Sequence, residues 1–325
     1  MIERKFTARI IVALAALLSC AAGPAAAQFP ERPVRIIVPF GPGGLADITF
    51  RVVAEKLTGL VGKPVLVENQ PGAGGIAAAA TVTKSKPDGY TLLVIANGTA
   101  ISQSLFRKLP YDPVKDLAPV SLVAYFDLVV LAKGDGRYRT LADLLAAGRA
   151  APGKLNFGSI NPGSTQNLSA ELFKSTAGID AQVVPFRTSA DAAAALMADN
   201  LDAVFESYTA MKSLIDAGRL RALASTGGKR SAYLPELPTV KEAGVPAYEV
   251  TGWNALTAPA GTPEEVIAYL NRQVNLVVAM PEVKARLLQL GTEAYAGTPE
   301  ELRRQLVNDI AKWEAVIKRA GIPQQ

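Results

Sequence analysis

The stretch 34-VRIIVPFGPGGLADITFR-51 decides how this chain is built. Its first five residues form an apolar, β-branched run, Pro39 ends that run, and Gly41-Pro42-Gly43-Gly44 makes a tight turn. Apolar residues then recur at helical spacing through Val53, Leu57, Leu60 and Val61. A strand that turns sharply into a helix leaves backbone N–H groups without intrahelical acceptors at the positive end of the helix dipole, which suits an anion. Each such interaction contributes about 0.3–1 kcal/mol when exposed. Micromolar affinity needs about 8 kcal/mol, so further anchors must converge on the turn.

The chain repeats the arrangement. In 157-FGSINPGSTQNLSAELF-173 a strand again runs into a turn of glycine, serine, threonine and asparagine, then into an amphipathic helix carrying Leu168, Leu172 and Phe173. In 183-VVPFRTSADA-192, Arg187 follows a strand and offers a planar two-pronged donor matched to a carboxylate, while Thr188 or Ser189 begins the next helix. Ligands of open α/β sheets bind at the carboxyl ends of the strands, where all three turns fall. The candidate binding residues are therefore Phe40, Gly41, Gly43, Gly44, Leu45, Ala46 and Asp47 in the first turn. Ser159, Asn161, Gly163, Ser164, Thr165 and Asn167 supply the second, and Arg187 and Thr188 the third. Asn97, after the strand 90-YTLLVIA-96, and Glu206, after 202-DAVF-205, complete the set. Asp47 orients the first loop, and Arg51 is its structural partner. Glu206 either aligns Arg187, meets a ligand hydroxyl or ammonium, or serves as a carboxylate at a helix start. Trp253 either walls the cleft or fills the hinge.

From Arg35 onward β-branched runs alternate with helical patterns, the mark of a mostly parallel sheet covered by helices. Two extended crossings, near 120–132 and 248–257, divide the chain into two α/β halves better than one continuous sheet would. The expected organisation is one lobe from 28–127 and 252–325, a second from 128–251, and a ligand cleft between them. Helices are expected over 262–279, 281–290 and 298–320, the first and third opened by a cap and a first-turn proline at Thr262-Pro263 and Thr298-Pro299.

The first 27 residues read as an export signal: a basic start, the apolar core 10-IIVALAALLSC-20, and small residues ending at Ala25 and Ala27. Cleavage after Ala27 leaves a mature chain without cysteine, since Cys20 is the only one. A rival reading takes 17-LLSC-20 as a lipidation site. The expected location is the periplasm. The formal net charge is +5; Arg4, Lys5 and Arg9 against Glu3 place +2 in the signal, leaving +3. Without a basic run interleaved with aromatics, nucleic acid is not an expected partner.

The sequence contains no histidine, which excludes Ser-His-Asp and Cys-His catalysis and removes the commonest zinc ligand. Glu206 and Asp202 could form a carboxylate pair, but their spacing does not favour it. The run 72-GAGGIA-77 matches a dinucleotide fingerprint, yet Pro71 interrupts its junction and no acidic residue follows at the required distance. No enzyme activity, cofactor or metal is expected.

Taken in order, PFGPGGLAD, VENQPGAGG, PDGYTLL, LPYDPVKDLAPVSLV, PGKLNFGS, LPTVKEAG and APAGTP closely resemble the Bug family of tripartite tricarboxylate transporter substrate-binding proteins, over essentially all of 29–325. The resemblance implies a type II periplasmic binding protein, a Venus flytrap of two lobes joined by two crossing segments. It also implies capture of a small organic carboxylate for the membrane permease subunits of such a transporter, by a monomer that performs no chemistry. The alternative is a sensory protein presenting its ligand to a membrane kinase. In the family the carboxylate is held by the first glycine loop and the Gly-Ser loop, here Phe40 to Asp47 and Ser159 to Asn167. This chain departs from the family at Leu45-Ala46, at Asn167 where many members have histidine, and at Phe186-Arg187-Thr188 where a Tyr-Lys-Gly is frequent. A more apolar first loop with Arg187 points to a dicarboxylate or an aromatic acid.

Overall fold

The structure, a computed structural model, describes residues 29–325; the export signal expected over 1–27, and Cys20 within it, lie outside them. Strand β1 (Val34–Val38) shows why its run is apolar but for Arg35. Successive side chains point to opposite faces, so Ile36 and Val38 enter one core cluster while Ile37 enters another. A parallel strand covered on both faces is apolar on both, and the one polar residue, Arg35, is half-buried and paired with Glu68 of the neighbouring strand at 2.7 Å. β2 (Val65–Asn69) and β3 (Thr91–Ala96) flank it in parallel. Helices α1 (Leu45–Val61), α2 (Ile76–Thr83) and α3 (Asn97–Leu105) leave their carboxyl ends.

The second lobe repeats the scheme. β5 (Leu155–Ile160) lies parallel to both β6 (Ala181–Phe186) and β7 (Ala203–Ser207). Helices α5 (Thr165–Ala177), α6 (Ser189–Met197) and α7 (Tyr208–Asp216) follow them. α4 (Leu141–Ala150) precedes β5 with a capping box between Thr140 and Asp143, and β8 (Leu220–Ser225) closes the lobe.

The lobes share β4 (Leu117–Lys133), a 17-residue strand. It pairs antiparallel with β9 (Thr251–Pro259) as far as Asp127, opposite Thr251. From Leu128 onward it pairs with β7 and β8 instead. The hydrogen-bonded path is thus continuous, in the order β2-β1-β3-β9-β4-β7-β5-β6, with two ladders joined through one strand. The second crossing is fastened to this point: Thr226 donates its N–H to Leu128 O at 2.9 Å and accepts from Val250 N at 2.8 Å. Asp127 braces both crossings by accepting from Ser231 Oγ at 2.7 Å and Thr251 Oγ1 at 3.1 Å. Burial pushes its carboxyl above the usual range.

Helices α8 (Glu264–Ala279) and α9 (Pro281–Gln289) cover the first lobe, and the short β10 (Glu293–Ala294) pairs with β4. α10 (Pro299–Ala320) packs on α3 and β4 and reaches α5 of the second lobe. Its Leu302, Leu306, Trp313 and Ile317 join Ile37 and Ile95 of the first lobe and Phe157 and Phe173 of the second in one cluster. Each such fully buried side chain contributes about 1.5–3 kcal/mol. Thr298 caps α10 as expected, with Pro299 in the first turn. The parallel expectation at Thr262-Pro263 is corrected: α8 starts at Glu264 behind Pro263, and Thr262 Oγ1 donates back to Pro259 O at 2.8 Å.

Candidate functional site

Register fixes where the site lies. The carboxyl ends of β1, β2 and β3 are at the edge where β9 begins, because Ala96 lies opposite Asn254. β9 in turn meets β4 at Asp127, and β7 ends beside Leu128. The carboxyl edges of both parallel sets therefore face each other across the crossing, and the loops after β1, β3, β5, β6 and β7 border one cleft.

The loop after β1 is held from behind. Gly43, at φ 78°, adopts a left-handed conformation that favours glycine, and its N–H donates to Asp47 Oδ2 at 2.9 Å. Asp47 is 2% exposed and also accepts from Asn69 Nδ2 at 2.9 Å and from Arg51 Nε at 3.0 Å. Burial alone would raise its pKa, but the hydrogen bonds from Arg51, Gly43 and Asn69 outweigh it and hold the carboxyl below the usual range. Asn69 Nδ2 ties the far side of the loop by donating to Phe40 O at 3.0 Å. Gly44, the residue before α1, has no side chain to cap the helix, and the first helical bond is Ile48 N to Gly44 O at 3.0 Å. The N–H groups of Leu45, Ala46 and Asp47 find no acceptor among the described residues. Gly41 is half-buried, and a Cβ on it would meet nothing within 4 Å.

The loop after β5 is braced by its own side chains, with the N–H groups of Thr165 and Gln166 finding no acceptor among the described residues. Ser164 Oγ accepts from Asn167 N at 3.1 Å and donates to Ile160 O at 2.9 Å. Asn167 Nδ2 donates to the buried Ser159 Oγ at 3.2 Å, and Asn161 N donates to Phe186 O at 3.0 Å. Gly163 is buried, and Thr165 begins α5 as a buried residue. A Cβ on Gly98, at the start of α3, would come to 3.4 Å from Gly163 O, so this loop touches the first lobe there.

Three candidates change role. Asn97 is buried and its side chain is committed: Nδ2 donates to Thr251 O at 3.3 Å and Asp309 Oδ2 at 3.1 Å, and Oδ1 accepts from Trp253 N at 3.0 Å. It anchors the start of β9 to α10 rather than offering its amide to the cleft. Trp253 fills the hinge, fully buried, with Nε1 donating to Asp309 Oδ2 at 2.6 Å; burial raises the Asp309 carboxyl. Arg187 is exposed and makes no ion pair among the described residues, and Glu206 does not align it. Glu206 is 1% exposed and instead accepts from Gln166 Nε2 and Ser189 Oγ, each at 2.8 Å, and from Ser207 N at 2.6 Å. Thr188 caps α6, accepting from Asp191 N at 3.1 Å.

Gln166, Ser189 and Asn69 were not among the candidates. Gln166 and Ser189 lie inside the quoted turns, but only the fold brings them to one carboxylate. Asp202 sits at the opposite end of β7, where it accepts from Tyr138 Oη at 2.9 Å and Asn156 N at 2.8 Å, so it forms no pair with Glu206. The GAGGIA run owes its glycines to packing: a Cβ on Gly74, at φ 60°, would fall 2.4 Å from Ser102 Oγ. A hollow of about 420 Å³ lined by Phe106, Arg107 and Tyr111 lies beyond the far end of α3, away from the carboxyl edges. Among the described residues no cluster of His, Cys, Asp and Glu is placed to hold a metal, and no helix is long and apolar enough to cross a membrane.

Comparison with known proteins identifies the family and the fold. Residues 49–322 match the family described as tripartite tricarboxylate transporter family receptor. The chain is 34% identical to protein BugT of Bordetella pertussis over 303 residues, 93% of each chain. It superimposes on the Rhodopseudomonas palustris protein Rpa4515, solved with adipate, with a TM-score of 0.86 at 35% identity, covering 91% of this chain and 99% of that one. MatC from Rhodopseudomonas palustris, with bound malate, aligns with a TM-score of 0.82 at 31% identity, covering 89% of this chain and all of the other.

Proposed function

Because this chain belongs to the tripartite tricarboxylate transporter receptor family, we propose that it captures a small organic carboxylate between its lobes and delivers it to the membrane permease subunits of such a transporter. Members of this family are periplasmic solute-binding receptors rather than enzymes, and solved relatives hold adipate and malate. One observation carries the assignment to the first loop. Leu45, Ala46 and Asp47 present three unpartnered N–H groups at the cleft edge, on a loop that Asp47 and Asn69 hold rigid from behind. A preorganised row of donors at a helix start receives one carboxylate without any side-chain cation.

The Gly-Ser loop, from Ser159 to Asn167, closes from the other lobe. A ligand shifts the lobes toward closure only by binding the closed arrangement more tightly than the open one, which requires contacts from both rims. The closed form is then the surface that the permease reads. The chain acts as a monomer, exported by its first 27 residues. The sequence leaves a dicarboxylate and an aromatic acid as the two ligand classes.

A thermal-shift screen of aliphatic and aromatic carboxylates against their matched primary amides tests this. Carboxylates are expected to raise the melting temperature and the amides not to. A screen in which no carboxylate stabilises the protein, or in which amides do equally well, refutes the assignment.

A further inference from the structure

Glu206 is a fully buried carboxylate in the middle of the second lobe's cleft edge, on β7 between β4 and β5. The starts of three helices converge on it. Gln166 belongs to the first turn of α5, Ser189 is the first residue of α6, and Ser207 is the residue before α7. Their donors fill both carboxylate oxygens: Gln166 Nε2 and Ser207 N bond Oε1, and Ser189 Oγ bonds Oε2. The focus of three helix dipoles is where an incoming anion would be most stable, and the protein's own charge already occupies it.

The same bonds set the polarity of the layer in front. Gln166 and Ser189 are half-buried, so both reach solvent where the fully buried Glu206 does not. With Gln166 Nε2 turned to the carboxylate, its amide oxygen is left as the free group. With the Ser189 hydroxyl proton directed inward, its lone pairs are left. Arg187, which follows β6 on this rim, forms no ion pair or hydrogen bond with Glu206. The first loop thus leaves three helix-start N–H groups open, whereas the second lobe adds acceptor atoms on Gln166 and Ser189, both bonded to the Glu206 carboxylate.

We propose that Glu206 makes the second lobe a reader of hydrogen-bond donors, so that the preferred ligand is a monocarboxylate whose far end carries a hydroxyl or amino group rather than a second carboxylate. This rests on the carboxylate reading above and decides against the dicarboxylate class. Glu206 acts through Gln166 and Ser189 and is a positioning residue.

Calorimetric titration tests it with a length series of ω-hydroxy acids and the α,ω-diacids of equal chain length, together with 4-hydroxybenzoate and terephthalate. The wild-type protein is expected to bind the best hydroxy acid at least about tenfold more tightly than its matched diacid, since juxtaposed like charges are penalised strongly in a desolvated site. In Glu206→Gln the amide of Gln166 is free to turn, and that ratio is expected to fall by about tenfold. Diacids binding as tightly as hydroxy acids to the wild type overturn the inference while leaving the carboxylate reading intact; this arm needs no variant. An unchanged ratio in a Glu206→Gln protein of near-normal melting temperature overturns it as well. If neither acid type binds the wild type and the thermal-shift screen is also blank, the carboxylate reading fails and takes this inference with it.

Discussion

On the first lobe, helices α1, α2 and α3 start behind Gly44, Gly75 and Ala96, and none has a side chain on its first-turn N–H groups. On the second, α5, α6 and α7 start behind Ser164, Thr188 and Ser207, and each hydroxyl accepts from the N–H three residues on. A cap and a ligand anion compete for the same donors. Leaving a helix uncapped forgoes about 1 kcal/mol where alanine holds the cap position and only a few tenths where glycine does. The first helix start of the first lobe keeps three N–H groups open, whereas each capped start of the second has one of its three already taken by a hydroxyl. Two sheets of the same topology thus differ in the residue that precedes each helix, and under the proposed function that difference assigns attraction to one and selection to the other.

The sharpest way to break this contrast is to give the first lobe a cap. Gly44 lies at φ −78°, ψ 168°, which any residue adopts, and a Cβ there would meet only Gly41 O at 3.5 Å. Gly44→Asp should raise thermal stability by only a few tenths of a kcal/mol while lowering carboxylate affinity by at least about a hundredfold, because the new side chain takes a donor and repels the ligand. Equal affinity in a folded Gly44→Asp protein removes the first loop from the site. Next in size is the brace behind that loop. Asp47→Asn should cost about 1.5–3 kcal/mol of stability in chemical denaturation, as expected for hydrogen bonds to a charged group. The deficit depends on pH. The folded pKa of Asp47 is depressed, so its contribution is fully present above the unfolded value of about 4 and fades as pH falls through the folded value. Wild type and Asp47→Asn should therefore converge in melting temperature at acid pH; a constant gap contradicts the depressed pKa. The smallest effect belongs to the second lobe. Ser164→Ala should lose about 1 kcal/mol of stability and change affinity only a few-fold, and a larger binding loss than in Gly44→Asp reverses the division of labour.

Much of this was legible in the sequence because strand, glycine turn and amphipathic helix are local patterns. β1 announces itself by burial on both faces and α1 by its apolar stripe. What a dipeptide does is not local. Thr298-Pro299 and Thr262-Pro263 read alike, but Thr262 follows the turn at Gly261, whose φ of 83° brings Pro259 O within reach of the threonine hydroxyl and delays the helix. Polar residues after strands are equally ambiguous. Asn97 and Arg187 both follow strands, yet the start of β9 and α10 claim the first, whereas the edge position of β6 leaves the second exposed. The partners of Glu206 come from α5 and α6, 40 and 17 residues away, a pairing no spacing rule encodes.

Because β4 is laddered on both sides of the Asp127–Leu128 peptide, sliding one lobe over the other would break paired registers in two sheets together, whereas torsion about that peptide keeps both. If the lobes close as proposed, their travel is confined largely to a swing about this peptide, beside which Asp127 ties both crossings. Acids of different span can then be met by stopping that swing earlier or later, with no rebuilding of either rim.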